Sequence, residues 1–457
     1  MQLYNTLSQK KGPLPKKEVL NLFVCGPTVY DYLHIGNGRV YAVFDSFVKY
    51  LRSGGVKVVY LQNITDIDDK IIARAELDKS SFKDVADKFT KAFKEDMERL
   101  GVREVDTYAP ATHFIPQILE QVKRLIHKKH VYKIEGDGWY FDISTFKDYG
   151  ELSGRTVEQA EDSVSRIDES VNKRNKGDFA VWKFSKPGEP VWKTELGDGR
   201  PGWHIEDTAI SEFYFGPQYD LHGGGRDLIF PHHEAEIAQQ ESASGKKPFV
   251  KTWMHVGLVT MDGKKMSKST GNVLTIGDFL KESSANLFRF LVLSHHYRQP
   301  FDYGAQALKD AKAAYANIAQ FLAKADFAKR AGGKTDFEVT THEKRFLEAL
   351  ENDFNTPQAI AVIFELTNAA QLKLFDLTHA SLKAMHSFIR KSLESLGISF
   401  PKVKTPLKVR WLTSRREKYR ASHQFDQSDA LRRRVDALGY IIEDTPRGPF
   451  LWPKHLT

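Results

Sequence analysis

Two short segments carry residue types suited to handling phosphate. The first, His34-Ile35-Gly36-Asn37, follows an apolar run that stops at Gly26-Pro27. The second, Lys265-Met266-Ser267-Lys268-Ser269, lies about 230 residues downstream, between Asp262-Gly263 and Thr270-Gly271-Asn272. Phosphate binding needs backbone N–H groups at a helix N-terminus together with cationic donors. Gly26 through Asn37 places a glycine-containing segment, an imidazole and an amide where a helix begins. Two lysines three apart on a glycine-flanked loop can reach the β- and γ-phosphates of a nucleotide and neutralise charge as pyrophosphate leaves. Either segment alone reads equally well as a capped turn or a solvated loop. The pair describes a split nucleotide site.

The elements that must position these segments are legible around them. Leu20 to Cys25 is a short apolar run, read as a buried strand. Arg39 to Arg52 follows a helical period through Val40, Val43, Phe44, Phe47, Val48 and Leu51, and Gly54-Gly55 ends it. Val56 to Leu61, rich in β-branched residues, reads as a second strand. Strand, crossover helix and strand make a βαβ unit and therefore a parallel sheet, with a nucleotide expected at the loop after the first strand. Helices are predicted over roughly Phe82–Leu100 and Ile115–His127. Strand signals return at Asp220-Leu221-His222 and from Thr252 to Val259, completing the sheet. Beyond Ile276 the chain reads as helical, with linkers at Gly332-Gly333 and from Pro401 to Pro406. The expected fold is α/β. A Rossmann-type catalytic domain is split into residues 1–130 and 196–275, with a connective subdomain inserted at 131–195. A helical region at 276–331, a helical bundle at 335–400 and a small basic module at 401–457 follow.

Composition narrows the class. The chain has 457 residues, 41% hydrophobic and 28% charged, as in an ordinary globular protein. It contains no apolar run long enough to span a bilayer and no signal-peptide pattern at its N-terminus, so a cytoplasmic protein without a membrane partner is expected. The single cysteine, Cys25, excludes internal disulfides and multi-thiolate metal sites. It acts either as a lone thiolate or as a small core residue. Of the formal net charge of +8, +7 lies in residues 401–457, which hold 13 Lys/Arg and 6 Asp/Glu. Trp411, Tyr419 and Phe425 are interleaved with those charges, which points to a folded module facing nucleic acid.

The paired segments resemble the nucleotide-binding signatures of class I aminoacyl-tRNA synthetases. Flanking residues resemble the cysteinyl-tRNA synthetases in particular. They include Phe23-Val24-Cys25-Gly26-Pro27-Thr28-Val29-Tyr30-Asp31, Asn63-Ile64-Thr65-Asp66-Ile67-Asp68-Asp69-Lys70, Arg200-Pro201-Gly202-Trp203-His204 and Phe230-Pro231-His232-His233-Glu234-Ala235-Glu236. Asp178 to Lys183 and His296 to Pro300 extend the resemblance, which runs to the end of the chain.

That resemblance implies activation of L-cysteine with Mg-ATP and transfer of the cysteinyl group to tRNA(Cys), by a protein expected to be a monomer. It implies one zinc ion at the pocket floor, held by Cys25, Asp207, His232 and Glu236. This chain departs from the family's pattern there, because Asp207 replaces a cysteine. A soft metal that prefers sulfur to a hydroxyl would separate cysteine from serine without an editing domain. The catalytic residues would be His34, Asn37, Lys265 and Lys268, with Asn37 in place of the commoner final histidine. Thr28, Thr65, Trp203 and His233 would line the amino-acid pocket, and Gly26 would belong to the ligand-binding segment that ends at Asn37. His222, Gly223, Gly224 and Gly225 with Asp227 would hold the adenosine and ribose. Two rivals stand beside this reading: a ligase that passes the same cysteinyl-adenylate to an amino-sugar, and a non-catalytic RNA-binding protein that has kept the fold.

Overall fold

The apolar run at residues 19–24 forms the middle strand of a parallel sheet. The computed structural model describes residues 1–15, 17–155, 172–266, 271–329, 332–400 and 403–454. Its chain divides into two compact units, Met1–Ala285 with Tyr297–Asp302, and Asn286–His296 with Tyr303–Thr457.

In the first unit, β1 (Gln2–Asn5) and β2 (Lys10–Pro13) form an antiparallel hairpin. Then come β3 (Val19–Val24), α1 (Ile35–Ser53), β4 (Lys57–Ile64), α2 (Asp69–Asp78), α3 (Phe82–Leu100), β5 (Thr107–Pro110) and α4 (Ile115–His127). Leu20, Leu22, Phe23 and Val24 are all buried, as a strand covered on both faces requires. Along α1, Val43, Phe44, Phe47 and Val48 are buried at helical spacing, each large side chain contributing roughly 1.5–3 kcal/mol. Helix α3 starts at Ser81, whose side chain accepts from Asp84 N–H, and stops at Gly101, where φ is 71°.

The region expected at 131–195 forms an antiparallel sheet that runs past that boundary to residue 201, with β6 (Val131–Ile134), β7 (Gly138–Phe141), β8 (Phe179–Phe184) and β9 (Gly199–Pro201) in that order. The chain returns through α5 (Trp203–Phe215), β10 (Tyr219–Gly225), α6 (Glu234–Ser244) and β11 (Val250–Val256). The parallel sheet has the order β11-β10-β3-β4-β5. Two crossovers run outward from β3 on one side, and β10 and β11 extend the other, which is the doubly wound arrangement. A short hairpin, β12 (Val259–Met261) and β13 (Lys264–Lys265), and helix α7 (Ile276–Glu282) follow.

Across the boundary of the units lie α8 (Ala285–Leu293) and β14 (Phe301–Tyr303). The second unit continues with α9 (Ala305–Ala328), α10 (Thr340–Glu351), α11 (Thr356–Gln371), α12 (His379–Ser395), α13 (Leu407–Ala421) and α14 (Phe425–Ala437). It ends in an antiparallel hairpin, β15 (Tyr440–Thr445) and β16 (Gly448–Pro453). The expectation that everything beyond Ile276 is helical therefore fails at β14 and at this hairpin. Tyr440-Ile441-Ile442 and Phe450-Leu451-Trp452 favour strands, and Gly448, at φ 99°, turns the chain between them. The hairpin, α13 and α14 share a small core of Val409, Leu412, Leu431, Val435 and Ile442. No helix among the described residues is long and apolar enough to cross a membrane.

Candidate active site

The break between β3 and β10, where the strand order reverses, is where a doubly wound sheet binds ligands. A cleft opens there, lined among others by Cys25, Thr28, His34, Asn37, Thr65, Trp203, Asp207, Asp227, His232 and Met266. His34 caps α1. Its Nδ1 accepts from Asn37 N–H at 3.2 Å, while Asn37 Oδ1 accepts from His34 N–H at 3.4 Å, a reciprocal capping box. Asn37 thus has a structural task beside any chemical one.

The two phosphate-handling segments are joined through the backbone. Ile35 N–H donates to Leu274 O at 3.0 Å, and Ile276 N–H donates to Leu33 O at 3.0 Å. Met266 reaches the same place. A Cβ on Gly36 would lie 3.1 Å from Met266 Cε and 2.9 Å from the His34 ring, so Gly36 leaves room for both. Ser267, Lys268 and Ser269 lie outside the described residues, and Lys265 is placed by its backbone, which pairs with Thr260.

Arg39, one turn into α1, ties these pieces to the body of the unit. It is fully buried, with its guanidinium 4.8 Å from the Phe301 ring centroid. Its Nη1 donates to Gly257 O (2.8 Å) and Leu258 O (2.9 Å), and its Nη2 to Gln299 O (2.6 Å) and Tyr297 O (3.4 Å). Asp302 Oδ1 accepts from Thr260 Oγ1 at 2.6 Å and from Gly263 N–H at 2.8 Å, fixing the β12–β13 hairpin. Burial lowers the Arg39 pKa to about 10.

At the cleft floor, Cys25, Asp207, His232 and Glu236 bring one ligand atom each to within 4.8 Å of the others, and all four residues are buried. Cys25 Sγ is 3.3 Å from Asp207 Oδ2 and 3.8 Å from Glu236 Oε1. His232 Nε2 is 3.1 Å from Asp207 Oδ2 and 3.0 Å from Glu236 Oε1. His232 lies just before α6, so its contact with Glu236 spans the first turn of that helix. Cys25, His222, His233 and Glu236 form a second, overlapping quartet.

The electrostatics of the floor favour a cation. Burial, reinforced by the Glu236 and Asp207 carboxylates, pushes the Cys25 thiol well above its ordinary pKa. Burial likewise raises Glu236 to about 7, against the opposing pull of His232. Burial disfavours a charged His232, yet Glu236 and Asp207 outweigh it and raise its pKa to about 9. Glu236 Oε2 is buried without a hydrogen bond, 3.5 Å from His222 Nδ1. Sulfur, imidazole nitrogen and two carboxylates, one with an orphaned oxygen, form a donor set compatible with a divalent metal ion.

Several residues expected at the ligand sit behind the cleft wall. His222 and His233 are fully buried, with Nε2 atoms 3.3 and 3.0 Å from Cys25 Sγ. Burial drives both imidazoles well below their ordinary pKa, and His255, bonded to His233 Nδ1 at 2.7 Å, to about 3. A Cβ on Gly223 would lie 2.1 Å from the Phe44 ring, and one on Gly224 2.9 Å from the His233 ring. Packing of the protein on itself therefore requires these glycines, whatever further part they and His222 take at the nucleotide. Thr28 and Thr65 face each other across a backbone bridge, and Trp203 stacks on His232 at 4.3 Å between centroids. Sequence reasoning assigned no role to Arg39 or Asn63. The available signal is a charged residue at the head of an apolar-periodic helix for Arg39, and an amide near the end of an apolar strand for Asn63.

Residues 12–313 match the family model described as the tRNA synthetases class I (C) catalytic domain, and residues 345–401 match that of the DALR domain. Asp429-Ala430-Leu431-Arg432 lies beyond the second match. A Mycobacterium tuberculosis methionyl-tRNA synthetase in complex with methionyl-adenylate shares the fold. Its TM-score is 0.61 at 14% identity, over 84% of this chain and 90% of that one. An Agrobacterium radiobacter LeuRS in ternary complex with tRNA and LeuAMS gives 0.62 at 10% identity, over 84% of each chain. Fold and family model together define a class I aminoacyl-tRNA synthetase.

Cysteine–tRNA ligases of Carboxydothermus hydrogenoformans and Thermococcus onnurineus are 39% and 40% identical to it, covering 98% and 99% of this chain and 99% of their own lengths. That of Methylobacillus flagellatus is 40% identical over 98% of both. The chain belongs to the cysteine–tRNA ligases. It activates L-cysteine with ATP to cysteinyl-adenylate, releasing pyrophosphate, and transfers the cysteinyl group to tRNA, releasing AMP. Similarity that runs through the basic C-terminal residues sets aside the amino-sugar ligase and the non-catalytic protein.

Proposed function

We propose that Cys25, Asp207, His232 and Glu236 hold one zinc ion at the cleft floor, and that His34, Asn37, Lys265 and Lys268 bind and orient ATP above it. The observation that supports this reading is the convergence of a sulfur, an imidazole nitrogen and two carboxylates on one buried point, with Glu236 Oε2 lacking a hydrogen bond. Of the two overlapping quartets this one is favoured, because Cys25, Asp207 and His232 line the cleft whereas His222 and His233 do not. Zinc bound there supplies a soft Lewis acid that prefers the substrate thiolate to a serine hydroxyl.

The chain's own groups do the rest. Trp203, Thr28 and Thr65 wall the amino-acid pocket and orient the carboxylate for in-line attack on the α-phosphorus. The His34-capped start of α1 offers N–H groups to the α-phosphate, and Lys265 and Lys268 take up charge as pyrophosphate leaves. Asp227, exposed at the cleft, accepts from the ribose. The terminal ribose hydroxyl of tRNA(Cys) then attacks the carbonyl and AMP departs.

The second unit would present its basic module to the tRNA. Trp411 is 55% exposed, with the Arg415 guanidinium 4.9 Å from its ring centroid and Arg415 Nη2 donating to Tyr419 Oη at 3.0 Å. Such an aromatic–arginine ladder suits stacking of unpaired bases. Metal analysis of protein purified without added zinc tests the central claim. About one zinc per chain is expected, falling sharply in Asp207→Ala. Full cysteine-dependent pyrophosphate exchange with almost no metal present would refute it.

A further inference from the structure

Asp207 stands where the family's pattern has a thiolate, and a carboxylate brings two donor atoms instead of one. The neighbouring chain deals with the second. Asn63, buried in β4, accepts Gly26 N–H on its Oδ1 at 2.6 Å, which fixes the rotation of the amide and turns Nδ2 toward Asp207. Nδ2 donates to Asp207 Oδ1 at 2.5 Å and to Thr65 Oγ1 at 3.3 Å. Asp207 Oδ2 is left facing His232 Nε2 and Cys25 Sγ. Gly26 protects the arrangement, because a Cβ there would lie 1.8 Å from Asn63 O and 3.2 Å from its Oδ1.

We propose that Asn63 is a positioning residue that holds Asp207 to one-oxygen ligation. The carboxylate then presents a single donor atom, as a thiolate does, and a coordination position stays open toward the cleft for the sulfur of the substrate. The inference rests on the metal reading above. Its physical basis is donor strength and count. An oxygen already accepting a short amide hydrogen bond is a poorer second donor, and a neutral amide takes it up without cancelling the charge that Asp207 offers the cation. Without that donor, Oδ1 is free to close a four-membered chelate and fill the position the substrate needs.

The test is a double-mutant cycle on the full-length protein, read by zinc affinity in chelator competition and by the visible absorption of the cobalt-substituted form. Asn63→Ala should weaken zinc binding about ten- to a hundredfold. Its cobalt bands should lose intensity as a further oxygen enters the coordination shell. Asn63→Asp, which keeps the acceptor for Gly26 N–H but loses the donor, should do the same. In an Asp207→Cys background, where the ligand has one donor atom, Asn63→Ala should change zinc affinity less than about threefold. Equal losses in both backgrounds would assign Asn63 to the fold alone and overturn the proposal. So would native affinity and an unchanged cobalt spectrum in both Asn63 variants. A native protein that binds neither zinc nor cobalt would overturn the metal reading itself.

Discussion

Replacing Arg39 by methionine should separate stability from catalysis. The substitution keeps an unbranched stem but removes a guanidinium that donates to four backbone carbonyls. Two of these keep another donor, since Leu258 O also accepts Phe301 N–H at 3.1 Å and Tyr297 O accepts Gly257 N–H at 2.7 Å. The loss therefore falls on Gly257 O and Gln299 O. Leaving the buried Gly257 carbonyl short costs about 1–3 kcal/mol, and the Gln299 carbonyl, in an exposed residue that water can reach, costs less. Against that stands the relief of not burying a charge. The depression of the Arg39 pKa from 12.5 to about 10 corresponds to about 3 kcal/mol. The two effects nearly cancel, so the net change in stability is about 1 kcal/mol or less and Tm shifts by only a degree or two. The geometric effect is larger. Gly257 and Leu258 lead directly into the β12–β13 hairpin that carries Lys265, and a displacement of about 1 Å there should reduce cysteine-dependent ATP–pyrophosphate exchange on the order of a hundredfold. Arg39→Lys, whose ammonium cannot span both carbonyl pairs, should fall between. Exchange within about twofold of native in Arg39→Met, with Tm unchanged, would refute the assignment of Arg39 as the clamp between the two segments.

Two further outcomes concern the second unit. Asp444 accepts from Arg416 Nη1 and Nη2 at 2.6 and 2.9 Å and from Arg420 at 2.5 Å, and Arg416 above all holds its carboxyl down to about 2. The unfolded chain therefore takes up the proton first as pH falls. The pair's contribution is complete above about pH 4 and disappears as pH drops toward 2. With the carboxylate a third exposed, screening reduces that contribution to about 1 kcal/mol. Hydrogen exchange of the β15–β16 amides should show Asp444→Asn weaker than native at pH 7, with the difference closing below pH 4. A difference independent of pH would contradict the pairing. Trp411→Ala should raise the KM for tRNA roughly fivefold or more while leaving pyrophosphate exchange without tRNA unchanged. An unaltered KM would remove the ladder from the RNA-facing surface.

The parts of the molecule that could be read in advance are those whose physics is local. A strand buried on both faces, a helix with apolar residues at 3.6-residue spacing and a glycine stop are visible within about forty residues, so β3, α1 and β4 emerge almost where they lie. The antiparallel sheet at β6–β9 and the terminal hairpin were less legible, because short strands of mixed polarity have little periodicity and depend on distant partners. At the site, His34 and Met266 could be paired by family resemblance, but only the structure links Leu33–Ile35 with Leu274–Ile276 hydrogen bond by hydrogen bond. His222 carries a packing role that its motif does not announce. A histidine before three glycines suggests ligand contact, and the structure adds that its ring packs against Trp253 at 4.4 Å between centroids and that the glycines make room for Phe44 and His233. Asn63 lies within the Asn63–Lys70 motif, and nothing local in the sequence shows that its amide faces residue 207.

The strand order also bears on how the chain is made. Strand β3 is central, but only its β4 side can pair early, because its other neighbour, β10, ends about 200 residues later. At ribosomal speeds of about 5–20 residues per second, roughly 10–40 s pass with a Val-Leu-Asn-Leu-Phe-Val edge synthesised and unpaired. During that interval the nascent enzyme is exposed to edge-to-edge association, and a nascent-chain chaperone that shields β3 until Gly225 emerges should raise its yield more than one acting on the finished protein.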